Sequence, residues 1–245
     1  MATAVEALPQ SVLINPVVKN LVALATRAWK RRWIVTVESG TGIGKSTACQ
    51  YAERALPFPN KRLEMKMITQ PLDILLQIGL RPGQRWRTHG RRWMRTADLY
   101  YQAVEMAKES PYLLILDEAD RLGPRCFEML RDLWDDARLP ILLAGNEVLT
   151  AKINAHHERL ARRIRVRFEQ RPLREPELRD VLECMGYKLT DEDFALLWKF
   201  AGGSPGFAEA LLEDAQGIAE SHNRALDQEA IYGAAKHFPT LKKAV

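Results

Sequence analysis

Glu38-Ser-Gly-Thr-Gly-Ile-Gly-Lys-Ser-Thr47, ESGTGIGKST, follows the apolar run Trp33-Ile34-Val35-Thr36-Val37 and leads into KSTACQYAERAL, Lys45 to Leu56, which reads as a helix. Gly40, Gly42 and Gly44 let a backbone turn tightly. A loop of this kind, backed by a helix N-terminus, points N–H groups inward and suits phosphate oxygens. Thr41, Ile43 and Thr47 complete it. Lys45 has the reach for β- and γ-phosphates, and the Ser46 hydroxyl suits Mg²⁺. The first glycine of the usual G-x-x-x-x-G-K-[ST] spacing is replaced by Ser39. A small residue there can enter the turn without glycine, so nucleotide binding is expected to survive.

Three glycines in a turn could also simply join a strand to a helix. A second stretch, LLILDEAD from Leu113 to Asp120, speaks against that. It places Asp117 and Glu118 at the carboxyl end of an apolar strand, where ligands bind in open α/β sheets. Asp117 suits Mg²⁺ coordination, and Glu118 suits activation of an attacking water. Asn146 ends a further apolar run, PILLAGN, and its amide is a candidate to position that water. The alternative is an ordinary turn asparagine. No N-K-x-D guanine-reading motif is present, so ATP is the expected nucleotide.

Working outward, an amphipathic helix is expected from about Pro16, with Val17, Leu21, Leu24 and Ala28 on one face. Strands are expected at 33–37, 62–69, 112–120, 140–146 and 165–170. Helices are expected at about 70–79, 96–109 and 126–137 between them. This alternation implies a three-layer α/β domain with a mostly parallel sheet over residues 1–171. From 172 to 245 no strand-like run remains, and helices fit 174–185, 190–201, 205–221 and 227–237. Thr190 with Asp193 reads as a capping box, and Ser204-Pro205 as an N-cap followed by proline at the first helical position.

The bulk numbers set limits. Of the 245 residues, 47% are apolar, enough for a sizeable core, and the net charge of +5 permits an anionic partner. Cys49, Cys126 and Cys184 form neither a CxxC pair nor a zinc spacing, and are expected to be buried, reduced thiols. No apolar run approaches the ~20 residues that cross a bilayer. MATAVEALPQ has no basic and apolar leader pattern. A cytoplasmic protein with no membrane partner is the expectation.

The stretches SGTGIGKST, LLILDEAD, LLAGN and RLARRIRVRF, followed by helices, resemble the AAA+ ATPases in their family order. ILDEADRL followed by LLAGN is most similar to the transposition ATPases of the phage Mu B, TnsC and TniB type. The resemblance implies a P-loop AAA+ domain with a C-terminal helical lid, and a sensor role for Asn146. It also implies a homo-oligomer, as ring or helical filament, in which an arginine reaches the neighbouring subunit's γ-phosphate. Arg163 is the first choice for that finger and Arg162 the second. The lid of such proteins usually offers an arginine in a G-x-x-R sequence. Here GGSPGFAEALL has Gly206 followed by Phe207, which implies slow hydrolysis.

RPGQRWRTHGRRWMR, 81–95, holds six arginines and two tryptophans with no acid. Such a stretch neutralises phosphates and gives salt-dependent affinity. Sequence-independent binding of duplex DNA is expected through Arg85, Arg87, Arg91, Arg92 and Arg95, with Trp86 and Trp93 able to stack or to anchor the loop. A solvated basic surface is the alternative. A second cluster over 159–174 is assigned to the subunit interface. The expected function is a DNA-bound, ATP-switched target selector that recruits a transposase and disassembles on hydrolysis. A helicase loader or replication initiator, a small-molecule P-loop kinase and a nucleotide-gated scaffold are the competing readings.

Overall fold

The computed structural model describes residues 15–79 and 95–238. Three of the five strands carry the apolar runs read from the sequence, β1 (Ile34–Glu38), β3 (Leu113–Asp117) and β4 (Ile141–Gly145), and β5 (Ile164–Glu169) overlaps the last strand expected at 165–170. With β2 (Asn60–Glu64) they form one sheet in the order β2-β3-β4-β1-β5, with every neighbouring pair parallel. β3 and β4 are buried at every residue, as expected of strands covered on both faces. β5, at the sheet edge, alternates: Ile164, Val166 and Phe168 are half-buried, while Arg165, Arg167 and Glu169 are exposed.

The connecting helices are α1 (Pro16–Arg31), α2 (Lys45–Ala55), α3 (Pro71–Ile78), α4 (Thr96–Glu109), α5 (Pro124–Ala137), α6 (Leu149–His156) and α7 (Glu158–Ala161). Val17, Leu21, Leu24 and Ala28 of α1 are all buried, as their spacing requires. The main core joins Leu114, Leu116, Ile141 and Leu143 from the sheet to Ile74, Leu99, Phe127 and Leu130 from the helices.

After β5 the elements among the described residues are all helices: α8 (Glu175–Cys184), α9 (Asp191–Ala201), α10 (Pro205–Ser221) and α11 (Gln228–Ala235). The Thr190 hydroxyl accepts from the Asp193 N–H and the Ser204 hydroxyl from the Phe207 N–H, so both helix starts are set as their sequences imply. Contacts group the residues into two compact units. One comprises Asn20–Ser39 with Cys49–Gln170. The other comprises the segment up to Lys19, the loop Gly40–Ala48 and the chain from Arg171 onward.

Three expectations need correction. The second strand is Asn60–Glu64 rather than 62–69, because Asn60 and Lys61 pair with Leu113 and Leu114. Beyond it the chain turns, with the Thr69 N–H donating to the Lys66 carbonyl. The third strand stops at Asp117, because Glu118 takes a left-handed conformation and a short 3-10 turn follows. Cys49 and Cys126 are buried, but Cys184 is exposed. It ends α8 on the side away from Leu178, Val181 and Leu182, which face the core. No helix among the described residues is long and apolar enough to cross a membrane.

Candidate functional site

The carboxyl ends of β1, β3 and β4 lie at the same edge of the parallel sheet. The glycine loop leaves the chain at the end of β1. Ser39 is buried, and its N–H donates to the Gly145 carbonyl at 3.4 Å, extending the strand pairing by one residue. Neither Ser39 nor Gly40 has a positive φ; within the loop only Gly42 (φ 78°) and Gly44 (φ 100°) do. The conformations that demand glycine are therefore supplied where they are needed, and a serine at the entrance introduces no strain. Lys45 is 9% exposed and its Nζ donates to the Gly40 carbonyl at 3.1 Å. Lys45, Ser46 and Thr47 form the first turn of α2, whose amides open onto the loop.

Asp117 ends β3 at 1% exposure. Its Oδ1 accepts from the Glu118 N–H at 3.0 Å, and Arg62 of β2 approaches Oδ2 at 3.5 Å. Arg62 is itself held by Glu53, at 3.2 Å. Glu118 has φ 56°, ψ 37°, and its carboxylate pairs with Arg121 at 3.1 Å. The left-handed residue turns the chain off the strand immediately after the two acids, so both remain at the sheet edge.

Asn146 follows β4. Its N–H donates to Asp120 Oδ1 at 2.9 Å, and its side-chain oxygen accepts from the Val148 N–H at 3.0 Å. The asparagine thus forms a turn of its own, which leaves its carboxamide nitrogen as the remaining donor group. Sequence reading missed Asp120. A Cβ on Gly145 would lie 2.9 Å from Asp120 Oδ1, so Asp120 packs directly against the end of β4. Lys152 supports the same turn, donating to the carbonyls of Asp120 and Leu122, each at 2.8 Å. The last aspartate of DEAD was the available signal.

The two finger candidates differ sharply. Arg163 makes a fork to Asp135 of its own chain, Nε to Oδ1 at 2.7 Å and Nη2 to Oδ2 at 2.6 Å. It also donates to the Arg159 carbonyl at 2.6 Å. The Arg162 side chain is 74% exposed and, among the described residues, pairs with the equally exposed Glu158, one helical turn away. Arg95 is 73% exposed at the start of α4, where Asp98 contacts it at 3.4 Å. The other DNA candidates, Arg85, Arg87, Arg91 and Arg92, lie outside the described residues, as do Trp86 and Trp93.

The donor set suits Mg²⁺: a hydroxyl at Ser46 and a carboxylate at Asp117 are hard oxygen ligands, the kind this ion takes one or two of alongside phosphates and water. Among the described residues no group of three or more His, Cys, Asp or Glu forms an all-protein metal cage.

The AAA domain family matches residues 30–153, from the end of α1 into α6. Among solved structures, the Aeropyrum pernix ORC2 protein in ADPNP–ADP complexes superposes with a TM-score of 0.64 at 19% identity. The match covers 89% of this chain and 67% of that one. The Aeropyrum pernix ORC1 protein in complex with DNA gives 0.65 at 20% identity, covering 90% and 64%. Cdc6p from Pyrobaculum aerophilum gives 0.67 at 15% identity, covering 90% and 65%. The chain therefore spans about two thirds of the length of these structures. No curated protein matches it by sequence. The family match takes in the glycine loop, Asp117, Glu118 and Asn146, and on it the chain belongs to the AAA family of ATPases.

Proposed function

We propose that this chain is an ATP-driven assembly switch that works on duplex DNA. The observation that carries the reading is the convergence of three strand ends at one sheet edge: β1 leading into the glycine loop, β3 ending at Asp117 with Glu118 next, and β4 ending at Gly145 with Asn146 next. The loop amides, from Gly40 to Thr47, with Lys45, hold the phosphates. Ser46 and Asp117 would hold Mg²⁺, which would neutralise charge on the transferring phosphoryl group. Glu118 takes a proton from the attacking water, and the Asn146 amide orients that water. Glu118 must leave Arg121 to do so.

Hydrolysis is completed by an arginine from a second copy of the chain. Arg162 is better placed for this than Arg163, because Asp135 already saturates the Arg163 fork whereas Arg162 is solvent-exposed. An arginine supplied in trans makes turnover depend on assembly. Residues 1–171 then act as the nucleotide-binding domain and 172–245 as a helical lid. DNA binding is assigned to Arg85, Arg87, Arg91, Arg92 and Arg95 on the acid-free composition of 81–95. Target selection and transposase recruitment in DNA transposition is the role that the motif order favours.

A replication-initiator role is the second reading. It draws on the likeness to ORC and Cdc6 structures, one of them solved with DNA. Duplex and single-stranded DNA of random sequence, titrated with salt in ATP and in ADP, separate these outcomes. The proposal expects ATP-dependent duplex binding, with a salt slope that falls when Arg85, Arg87 and Arg91 are neutralised. A single-strand preference, with capture of a helicase and not of a transposase, would favour the second reading. No ATP-dependent DNA binding would overturn both.

A further inference from the structure

The glycine loop and the start of helix α10 are joined by a main-chain hydrogen bond. The Gly206 N–H donates to the Gly42 carbonyl at 2.9 Å. A Cβ on Gly206 would lie 3.0 Å from that carbonyl oxygen and 3.5 Å from the Gly42 Cα. A Cβ on Gly42 would lie 2.5 Å from the Ser204 hydroxyl oxygen. A side chain at Gly206 would press on the Gly42 carbonyl, and one at Gly42, whose φ is already left-handed, would displace the Ser204 hydroxyl.

The hydrogen-bond accounting explains why Gly206 is the donor. A helix cannot satisfy its own first N–H groups. At the start of α10 the Phe207 N–H is taken by the Ser204 hydroxyl at 3.3 Å, and the Ala208 N–H by the Ser204 carbonyl at 2.9 Å. Pro205 has no N–H. Gly206 therefore holds the remaining donor of that turn, and it is used on the loop. On the loop side, Gly42 has φ 78°, a conformation open to glycine, and its carbonyl is engaged by α10.

We infer that Gly206 is a positioning residue for the nucleotide. Its N–H pins the Gly42 carbonyl and so fixes the direction of the loop N–H groups that follow, and seating of α10 becomes linked to occupancy of the phosphate site. The inference rests on the proposal that this loop binds ATP. Neither Gly206 nor Ser204 touches the nucleotide in this scheme; both act through Gly42.

The test compares Gly206→Ala with Gly217→Ala. Both residues lie in α10, but a Cβ on Gly217 meets nothing within 4 Å. Binding of a fluorescent ATP analogue is measured alongside thermal unfolding. Gly206→Ala is expected to weaken binding about fivefold or more by displacing the loop a few tenths of an ångström, with an unchanged kcat and a raised KM. Gly217→Ala is expected to bind as the unaltered protein does. Equal affinity in all three proteins overturns the inference and leaves the ATP site standing. Absence of binding in the unaltered protein overturns the ATP site itself. Should Gly206→Ala fail to fold, hydrogen exchange on the unaltered protein decides. Slower exchange at Gly206 on adding ADPNP supports the linkage, and no change at that amide overturns it.

Discussion

Strands β3 and β5 belong to the same sheet and meet solvent in opposite ways. Every residue of β3 is buried, so it offers only its carboxyl end, where Asp117 closes the strand and Glu118 follows it. β5 is the last strand of the sheet among the described residues and alternates its exposure, so Arg165, Arg167 and Glu169 share its open face. An interior strand can place reacting groups at one point of one edge. An edge strand, with the turn before it, can present a row of charges to another molecule. The chemistry is therefore assigned to β3 and β4, and recognition of a second copy to the segment leading into β5.

The largest effect expected on that division is at Arg162. Arg162→Ala should lower ATP turnover about 10³-fold at concentrations where the protein assembles, with nucleotide affinity intact. Turnover unaffected by this change would remove the recognition role from the β5 side. Next is Glu118→Gln at the β3 end, for which a loss of at least about 10²-fold in kcat is expected, again with binding retained. Equilibrium nucleotide binding and steady-state phosphate release read both.

Arg163 sharpens the comparison from the stability side. Its fork to Asp135 is half-buried, with side chains 29% and 32% exposed. Breaking it by Asp135→Asn should cost about 1 kcal/mol and lower the unfolding midpoint by roughly 2–4 °C. Arg162→Ala should leave that midpoint in place. Beyond β5, Arg171 and then Arg174 hold Glu177, lowering its carboxyl to about 2 from 4.5. A depressed folded-state value means the contribution is present above the unfolded value and is lost as pH falls from near 4.5 toward 2. Glu177→Gln should therefore destabilise the protein at neutral pH, by less than about 1 kcal/mol for so open a pair, and the gap should close on acidification. Urea midpoints against pH follow it.

The smallest effect belongs to the loop entrance. Because Ser39 has an ordinary negative φ, Ser39→Gly should change nucleotide affinity by no more than about twofold and slightly destabilise the chain through added freedom in the unfolded state. A large gain in affinity would mean that the glycine missing from the motif does matter.

What could be read from sequence was local. The β1–loop–α2 unit and the buried strands announce themselves through runs of adjacent residues, and Thr190 and Ser204 set helix starts within three positions. The partners that define the site's detail are distant in the chain. Asp135 lies 28 residues before Arg163, and Asp120 lies 26 before Asn146. Gly206 meets Gly42 from the far end of the protein. No periodicity encodes such pairs. The polar start of β2 was misread because pairing with β3, not its own pattern, makes it a strand. Helix α7 was missed because it is a single turn, and α6 because it buries only Leu149 and Ile153 and so carries little periodic signal.

The central claim is that one copy completes the catalytic site of the next. Mixing Glu118→Gln and Arg162→Ala proteins tests it most directly. Each alone should be inactive, whereas in an equal mixture roughly a quarter of the interfaces join an intact Glu118 to an intact Arg162, so about that share of the hydrolysis should return. A mixture as inactive as its components, or an Arg162→Ala protein that turns over ATP unaided, would contradict the account.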